Sequence, residues 1–150
     1  METMPCVIVD YDEKNEPLVK IEFLLIGDNI DVELINELLQ IPNAEILKKG
    51  ELLKERKNPV ITNSWKISTE FVRNPYVREE VEKIILILKD KVNIINKIYE
   101  LFDDINIVLE IVIEVTHKDY QPAIIFSRNT LKFISDIHAS IDVDMYFMFE

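Results

Sequence analysis

The segment INIVLEIVIEV, residues 105–115, constrains the fold of this chain more than any other stretch. Its odd-numbered residues are all isoleucine, leucine or valine, whereas its even-numbered residues include Asn106, Glu110 and Glu114. Because successive side chains of a β-strand point to opposite faces, this period of two predicts a strand with one buried face. Such a strand needs a sheet whose apolar face is covered by a second layer.

Three other segments show the same alternation. LVKIEFLLI and NSWKIST are predicted to be strands, and Trp65, the single tryptophan, is expected to be buried in the core. Near the C-terminus, IDVDMYFMF predicts a last strand with apolar side chains on one face and Asp142, Asp144 and Tyr146 on the other. PAIIFS is predicted to be a further short strand.

Helical periodicity appears between these strands. A short helix is predicted after Asp31, a suitable N-cap, and before Pro42. Apolar residues at intervals of three and four from 76 to 102 predict a long helical segment. It would be about 40 Å long if unbroken, so we expect a break near LKDKVN, with Asp90 or Asn93 capping the second helix. RNTLKFISDIHA predicts a last helix capped by Ser127, with three residues facing inward: Leu131, Ile134 and Ile137.

The order of these elements predicts an α+β two-layer sandwich. A mainly antiparallel or mixed sheet carries its helices on one side, and two strand-helix-strand halves are joined by a helical hairpin. We expect one domain over residues 1–150. Residues 1–18 form an N-terminal extension in which MPCVIVDYD is compatible with an additional strand, and whether that strand joins the sheet is left open.

Composition argues against several functional classes. Gly27 and Gly50 are the only glycines, and the sequence contains no glycine-rich phosphate-binding motif and no GxSxG. The net charge of −11 disfavours direct binding to nucleic acid or to an anionic membrane, and it suits a basic protein partner. Cys6 is the only cysteine, and we interpret it as a small apolar strand residue. With no apolar run long enough to span a bilayer and no signal-peptide pattern at the N-terminus, we expect a cytoplasmic protein.

The candidate binding residues lie on the sheet face opposite the helices. They are Glu110, Glu114, Asp142, Asp144 and Tyr146. A solvated or partner-binding face is the favoured interpretation, because carboxylates are mostly exposed. A metal-dependent or hydrolase-like site at Asp142 and Asp144, and a salt-bridge network with Lys20 and Lys66, are the alternatives. The sequence shows no pattern of further metal ligands, so we predict no metal and no cofactor.

A second candidate region is the basic stretch between residues 44 and 66. Its cationic residues are Lys48, Lys49, Lys54, Arg56 and Lys57, followed by Lys66. A loop whose charges are simply solvated is the favoured interpretation, and an anion- or partner-binding site is the alternative.

Several of these segments together resemble a known family. FLLIGDNI, the helix ending in LLQIPN, the KKGE loop, the SWKIS strand and the ending PAIIFS…LKFISDIHASIDVDMY are similar to the bacterial domain of unknown function 4279 family, over roughly residues 20–147. The N-terminal extension and a glycine-poor basic loop depart from the family pattern. The resemblance carries no catalytic residues. Small domains of this kind are often suspected of being immunity or partner-binding proteins.

These observations predict a non-enzymatic protein-binding module, for example an immunity (antitoxin-like) protein that binds a basic partner. A small-molecule-binding domain with a pocket between the sheet and the helical hairpin is the first alternative. An enzyme that uses the face of Asp142 and Asp144 is the second. A homodimer is left open.

Overall fold

A computed structural model describes residues 10–149, which fold into a mixed six-stranded sheet and four α-helices. The strands are β1 (Leu18–Gly27), β2 (Glu45–Leu47), β3 (Asn63–Ser68), β4 (Val72–Arg73), β5 (Asn106–Val115) and β6 (Ala139–Phe147). The helices are α1 (Val32–Leu39), α2 (Val77–Leu88), α3 (Val92–Leu101) and α4 (Arg128–Asp136), with short 3-10 turns at Glu13–Asn15 and Lys89–Lys91. The predicted α+β class is confirmed.

The sheet has the order β2-β3-β1-β5-β6, and β4 pairs with the beginning of β1. All neighbouring strands are antiparallel except β5 and β6, which are parallel and are connected through α4. Parallel neighbours need a crossover connection, and the segment between Val115 and Ala139 provides it. β6 therefore lies at one edge of the described sheet and β2 at the other.

The core lies between the inner sheet face and the helices. Alternate residues of β1 are fully buried, as are those of β5 from Leu109 to Ile113, so both predicted amphipathic strands are confirmed. Buried residues of all four helices belong to the same apolar cluster, among them Ile35, Ile84, Ile95 and Ile134. No helix among residues 10–149 covers the opposite sheet face, which we call the open face.

Local sequence signals account for most of the helix ends. The Asp31 carboxylate accepts the amide of Leu34 at 3.1 Å, and the Ser127 hydroxyl accepts the amide of Thr130 at 3.1 Å, so both predicted N-caps are confirmed. α1 ends at Gln40, which has a left-handed backbone with φ of 52°. No helix among residues 10–149 is long and apolar enough to cross a membrane.

The long helical segment does break between residues 88 and 92, as its length predicted. The expected cap by Asp90 or Asn93 is wrong, because Lys91 precedes α3 and makes no side-chain capping bond. The 3-10 turn continues the winding from α2 into α3, so the first amides of α3 follow helical backbone instead of a free end. Tyr99, one of the positions in this three-and-four periodicity, is 39% exposed and stacks on the His138 ring, while Ile98 is buried.

Two further local predictions are wrong. PAIIFS is not a strand, because Ala123 makes only an isolated bridge to Tyr76, exchanging hydrogen bonds with Pro75 and Val77 at the start of α2. Leu131 is exposed, because α4 packs through Thr130, Ile134 and Ile137, which are four and three residues apart. The additional strand considered for MPCVIVDYD, residues 4–12, and the interpretation of Cys6 as a strand residue fall largely on residues 1–9, which lie outside the described residues.

Trp65 is fully buried, as predicted, and links the sheet to α1. Its indole N–H donates to the Asn36 side-chain oxygen at 3.1 Å, and its ring meets Phe23 edge-on with centroids 6.5 Å apart. The indole packs its aromatic surface in the core, and its single hydrogen-bond donor has a partner there.

Replacing Trp65 by alanine should lower the free energy of unfolding by roughly 3–5 kcal/mol, because it leaves a large cavity and removes the partner of Asn36. Trp65→Phe should cost clearly less, since it keeps most of the packing and loses mainly the hydrogen bond. Urea unfolding followed by circular dichroism measures both values. Equal stabilities of Trp65→Ala and the parent, or native tryptophan emission at the wavelength of a solvated indole, would contradict this structure.

Candidate partner-binding face

Four carboxylates from three adjacent strands meet on the open face. Glu22 of β1 lies opposite Glu110 of β5, and Glu110 lies opposite Asp142 of β6. Asp144 follows two residues later on the same face of β6. Opposite residues on neighbouring strands have Cβ atoms about 5 Å apart, so these groups interact directly. We call Glu22, Glu110, Asp142 and Asp144 the acidic row.

The buried face sets this register. Phe23 pairs with Leu109 and Ile21 with Ile111, and all four side chains are fully buried. A slip of one residue would turn these side chains to the open face and bring the carboxylates into the core. The alignment of Glu22 with Glu110 is therefore imposed by packing on the other side of the sheet, not by attraction between the carboxylates themselves.

The charge of Glu22 is balanced inside the fold. Only 8% of this residue is exposed, and its carboxylate lies 3.1 Å from the Lys20 ammonium and 3.7 Å from that of Lys66. Lys66 also contacts Glu45 at 3.2 Å. The alternative prediction was a salt-bridge network of Lys20 and Lys66 with Asp142 and Asp144. Both lysines instead pair with glutamates, Lys20 with Glu22 and Lys66 with Glu22 and Glu45.

Negative charge is less well balanced near β6. Burial, a hydrogen bond with Asp144, and the charges of Glu22, Asp144 and Asp142 raise the pKa of Glu110 to about 7. Among residues 10–149, no lysine or arginine forms an ion pair with Glu110, Asp142 or Asp144. Near neutral pH this part of the face therefore carries carboxylates that repel one another.

Apolar and aromatic side chains surround these acids. Tyr146, opposite Glu114 on the parallel strand pair, is 52% exposed, and Met148 is 60% exposed. Val108 and Val112 occupy the same face of β5 and are partly exposed. The surface therefore combines carboxylates with an exposed tyrosine at its margin, and tyrosine is a residue type enriched at protein interfaces.

The structure brings the predicted binding residues together on one surface. Glu110, Asp142 and Asp144 are neighbours, and Glu114 and Tyr146 form the next pair along β5 and β6. Glu22 is not among the binding residues predicted from the sequence. Only the strand register, which depends on tertiary pairing, shows that Glu22 continues the acidic row.

The basic loop lies at the opposite edge of the sheet. It follows β2, and three strands separate β2 from β6, so the loop does not contribute to the acidic row. Lys48 forms an ion pair with Glu33, and Val60 anchors the loop with 6% exposure. A shallow cleft of about 500 Å³ is lined by charges of both signs: Glu45, Lys54, Glu55 and Arg56, together with Leu53. This mixed lining does not favour an anion.

A cleft lined by three tyrosines was not predicted from the sequence. Tyr11, Tyr76 and Tyr120 border a space of about 750 Å³, with Pro75, Asp119, Gln121 and Ala123. The rings of Tyr11 and Tyr120 lie 5.4 Å apart, and the Tyr11 hydroxyl donates to Glu16, which raises the pKa of Tyr11 to about 12. These residues are far apart in sequence, and no periodic pattern connects them.

Metal and acid–base sites find little support in the described part of the chain. No group of three or more His, Cys, Asp or Glu side chains among residues 10–149 is arranged to hold a metal ion. The clefts described for these residues are lined by side chains other than the carboxylates of β5 and β6. Glu110 has the raised pKa of a candidate general acid, but it lies on an open surface.

Comparison with known proteins places the chain in a family. The family named Domain of unknown function (DUF4279) matches residues 17–148, which is most of the chain, so the protein belongs to this family. The match begins just before β1 and ends just after β6, and it thus contains all six strands and four helices. No curated protein and no solved structure matches the chain significantly.

Glu110 makes the stability of the acidic row dependent on pH. Because its pKa is about 7 in the folded protein and near 4.5 when unperturbed, the folded state binds the extra proton. The contribution of Glu110 is most favourable below pH 4.5 and is lost as the pH rises through 7. Glu110→Gln should therefore stabilise the protein at pH 8, by about 1 kcal/mol after allowance for solvent screening, and have little effect at pH 4.5.

Urea unfolding of both proteins at the two pH values tests this expectation. Glu114→Gln is the matched control, because Glu114 lies on the same strand and face but opposite Leu18 and Tyr146. We expect no comparable pH-dependent gain from the control. An equal gain from Glu110→Gln at both pH values would show that repulsion within the acidic row is not its cause.

Proposed function

We propose that this protein is a non-enzymatic binding module whose open face docks a basic protein partner. The observation that carries the proposal is the part of the acidic row formed by Glu110, Asp142 and Asp144, which has no cationic partner among the described residues and lies beside Tyr146. A cationic side chain placed between Glu110 and Asp142 would replace carboxylate repulsion with attraction. The net charge of −11 would in addition steer a basic protein toward this chain and accelerate association.

The shape of the open face favours binding over catalysis. Acid–base catalysis requires a site that holds the substrate against the reacting carboxyl and limits its exposure to water. Asp142 is exposed, and among residues 10–149 no helix covers the acidic row and none of the described clefts includes it. A broad surface of acids, valines and a tyrosine instead matches the anatomy of a protein interface. An immunity (antitoxin-like) role is the form of this proposal in which the basic partner is a toxin.

The test compares charge-reversed variants of equal net charge. Asp142→Lys/Asp144→Lys changes the acidic row, whereas Glu37→Lys/Glu100→Lys places the same charges at exposed positions of α1 and α3. Each protein is immobilised and exposed to an extract of its native cells, and the retained proteins are identified. We expect basic proteins that bind the parent and the helix variant but not the open-face variant.

The affinity of a protein retained in this way should fall as salt rises, because charge attraction is screened. Tyr146→Ala should weaken binding roughly tenfold or more if the tyrosine becomes buried on docking. If the open-face variant and Tyr146→Ala both fold and retain the same proteins with parental affinity, the open face is ordinary solvated surface and the proposal is wrong.

The tyrosine cleft supports a second candidate function, small-molecule binding. It is larger than the other described clefts and combines aromatic surface with the polar groups of Asp119 and Gln121, as ligand sites commonly do. The cleft lies beside the N-terminal end of α2. The ligand pocket predicted from the sequence would lie in a different place, between the sheet and the helical hairpin.

A ligand of this cleft should raise the melting temperature of the parent protein, because binding to the folded state alone stabilises it. A thermal-shift screen of metabolites tests this, with Tyr76→Ala as the control that removes an exposed wall of the cleft. A rise shared equally by the parent and Tyr76→Ala would locate the ligand elsewhere. No rise with any compound would leave the open face as the better-supported site.

A further inference from the structure

The outer edge of β6 is unpaired within the part of the chain that the structure describes. The Met148 amide donates to the Val115 carbonyl at 2.8 Å, so Met148 directs its backbone groups toward β5. Because backbone direction alternates along a strand, the even-numbered residues of β6 also face β5. The backbone N–H and C=O groups of Ile141, Val143, Met145 and Phe147 therefore point toward the free edge.

Apart from the carboxylates of Asp142 and Asp144, this edge has none of the usual protection against pairing with another chain within residues 10–149. Natural edge strands are commonly short, interrupted by a bulge or proline, or protected by charged side chains, most often lysine. β6 has nine residues, none of which is proline or lysine, and its register with β5 is continuous from Ala139 to Phe147. Such an edge is a template for the addition of a strand.

The two sides of this edge differ in chemistry. Asp142, Asp144 and Tyr146 project from the open face. On the helix side, Val143 is 38% exposed and Phe147 is 63% exposed, and Leu131 of α4 is 49% exposed. A strand added beside β6 would thus meet carboxylates on one side and apolar surface on the other.

We propose that the edge of β6 binds an extended segment of the basic partner in which basic and apolar residues alternate. The segment adds a strand to the sheet, its basic side chains contact Asp142 and Asp144, and its apolar side chains cover Val143 and Phe147. This inference rests on the proposed function and specifies how the partner is held. Backbone hydrogen bonds supply affinity, and the alternating side chains supply specificity.

A second copy of this chain fits the same edge poorly. Antiparallel pairing of two β6 strands about a two-fold axis at Val143 would place Asp142 of each copy opposite Asp144 of the other. Like charges directly opposite each other on neighbouring strands are destabilising. Two chains that each carry a net charge of −11 also repel one another at a distance. Charge complementarity therefore selects a basic segment over a second copy.

The probe is a short synthetic peptide in which lysine and valine alternate, and its control has the same composition with the lysines in one block. Amide hydrogen exchange of the full chain is measured by NMR with and without each peptide. We expect the alternating peptide to slow exchange at Val143, Met145 and Phe147, and the block peptide to bind at least roughly tenfold more weakly. Equal affinities, no binding of either peptide, or no protection of these amides would overturn the proposal. Protection of the same amides in the free chain would also overturn it, because the edge would then be occupied by the chain itself.

Variants separate edge pairing from docking on the open face. Val143→Pro removes an edge-facing donor at a position where proline is tolerated in an edge strand, and Val143→Thr keeps both the donor and the β-branched shape. We expect Val143→Pro to lose the alternating peptide and Val143→Thr to retain it. The strand-addition proposal is wrong if Val143→Pro folds and binds the alternating peptide as tightly as Val143→Thr does. If Asp142→Lys/Asp144→Lys then loses both peptides, docking on the open face is supported. If Val143→Pro does not fold, the exchange measurement on the parent decides.

Discussion

The pairing of β1 with β5 is the constraint on which the rest of this structure depends. Each strand contributes a row of side chains to the inner face, and the fully buried pairs Phe23–Leu109 and Ile21–Ile111 lie at the centre of the sheet. Burial of a side chain of this size stabilises the fold by about 1.5–3 kcal/mol. A shift in register would expose this row and bury charged groups, so the inner face admits one alignment of the two strands.

The character of the open face is a consequence of that alignment. Glu22 and Glu110 are brought together because their neighbours on each side are packed in the core, and β6 adds Asp142 and Asp144 through its register with β5. Lys20 and Lys66 compensate Glu22, but no lysine or arginine in the described part of the chain pairs with the carboxylates nearer the edge. We expect the repulsion between these carboxylates to reduce stability at neutral pH, and this expectation supports the proposal that the surface binds a positively charged partner.

The parallel placement of β6 joins this acidic surface to an open sheet edge. α4 carries the chain across the helix side and covers part of β6 through Ile134 and Ile137, but Phe147 remains exposed beyond it. The edge, the acids and the exposed apolar side chains therefore occupy one contiguous strand. This arrangement distinguishes β6 from β2 at the other edge, which has three residues and is followed by the charged loop.

The sequence by itself determined the elements whose signals are local. Alternation over residues 105–115 was sufficient to predict β5, because only a β-strand places every second side chain on the same face and so buries a wholly apolar row. Asp31 and Ser127 were identifiable as caps because a cap acts on amides two or three residues away. The predicted open-face set of Glu110, Glu114, Asp142, Asp144 and Tyr146 also followed from alternation within single strands.

Only the tertiary structure decided which of these local features meet. No local pattern aligns Glu22 with Glu110, makes β6 a parallel edge strand or gathers Tyr11, Tyr76 and Tyr120, because these contacts join residues far apart along the chain. PAIIFS has the composition of a strand, yet the Ala123 amide donates to the Pro75 carbonyl and the Ala123 carbonyl accepts from the Val77 amide, because the start of α2 supplies the competing partner. Local propensity specifies what a segment can form, and packing with distant segments selects where it lies and what it contacts.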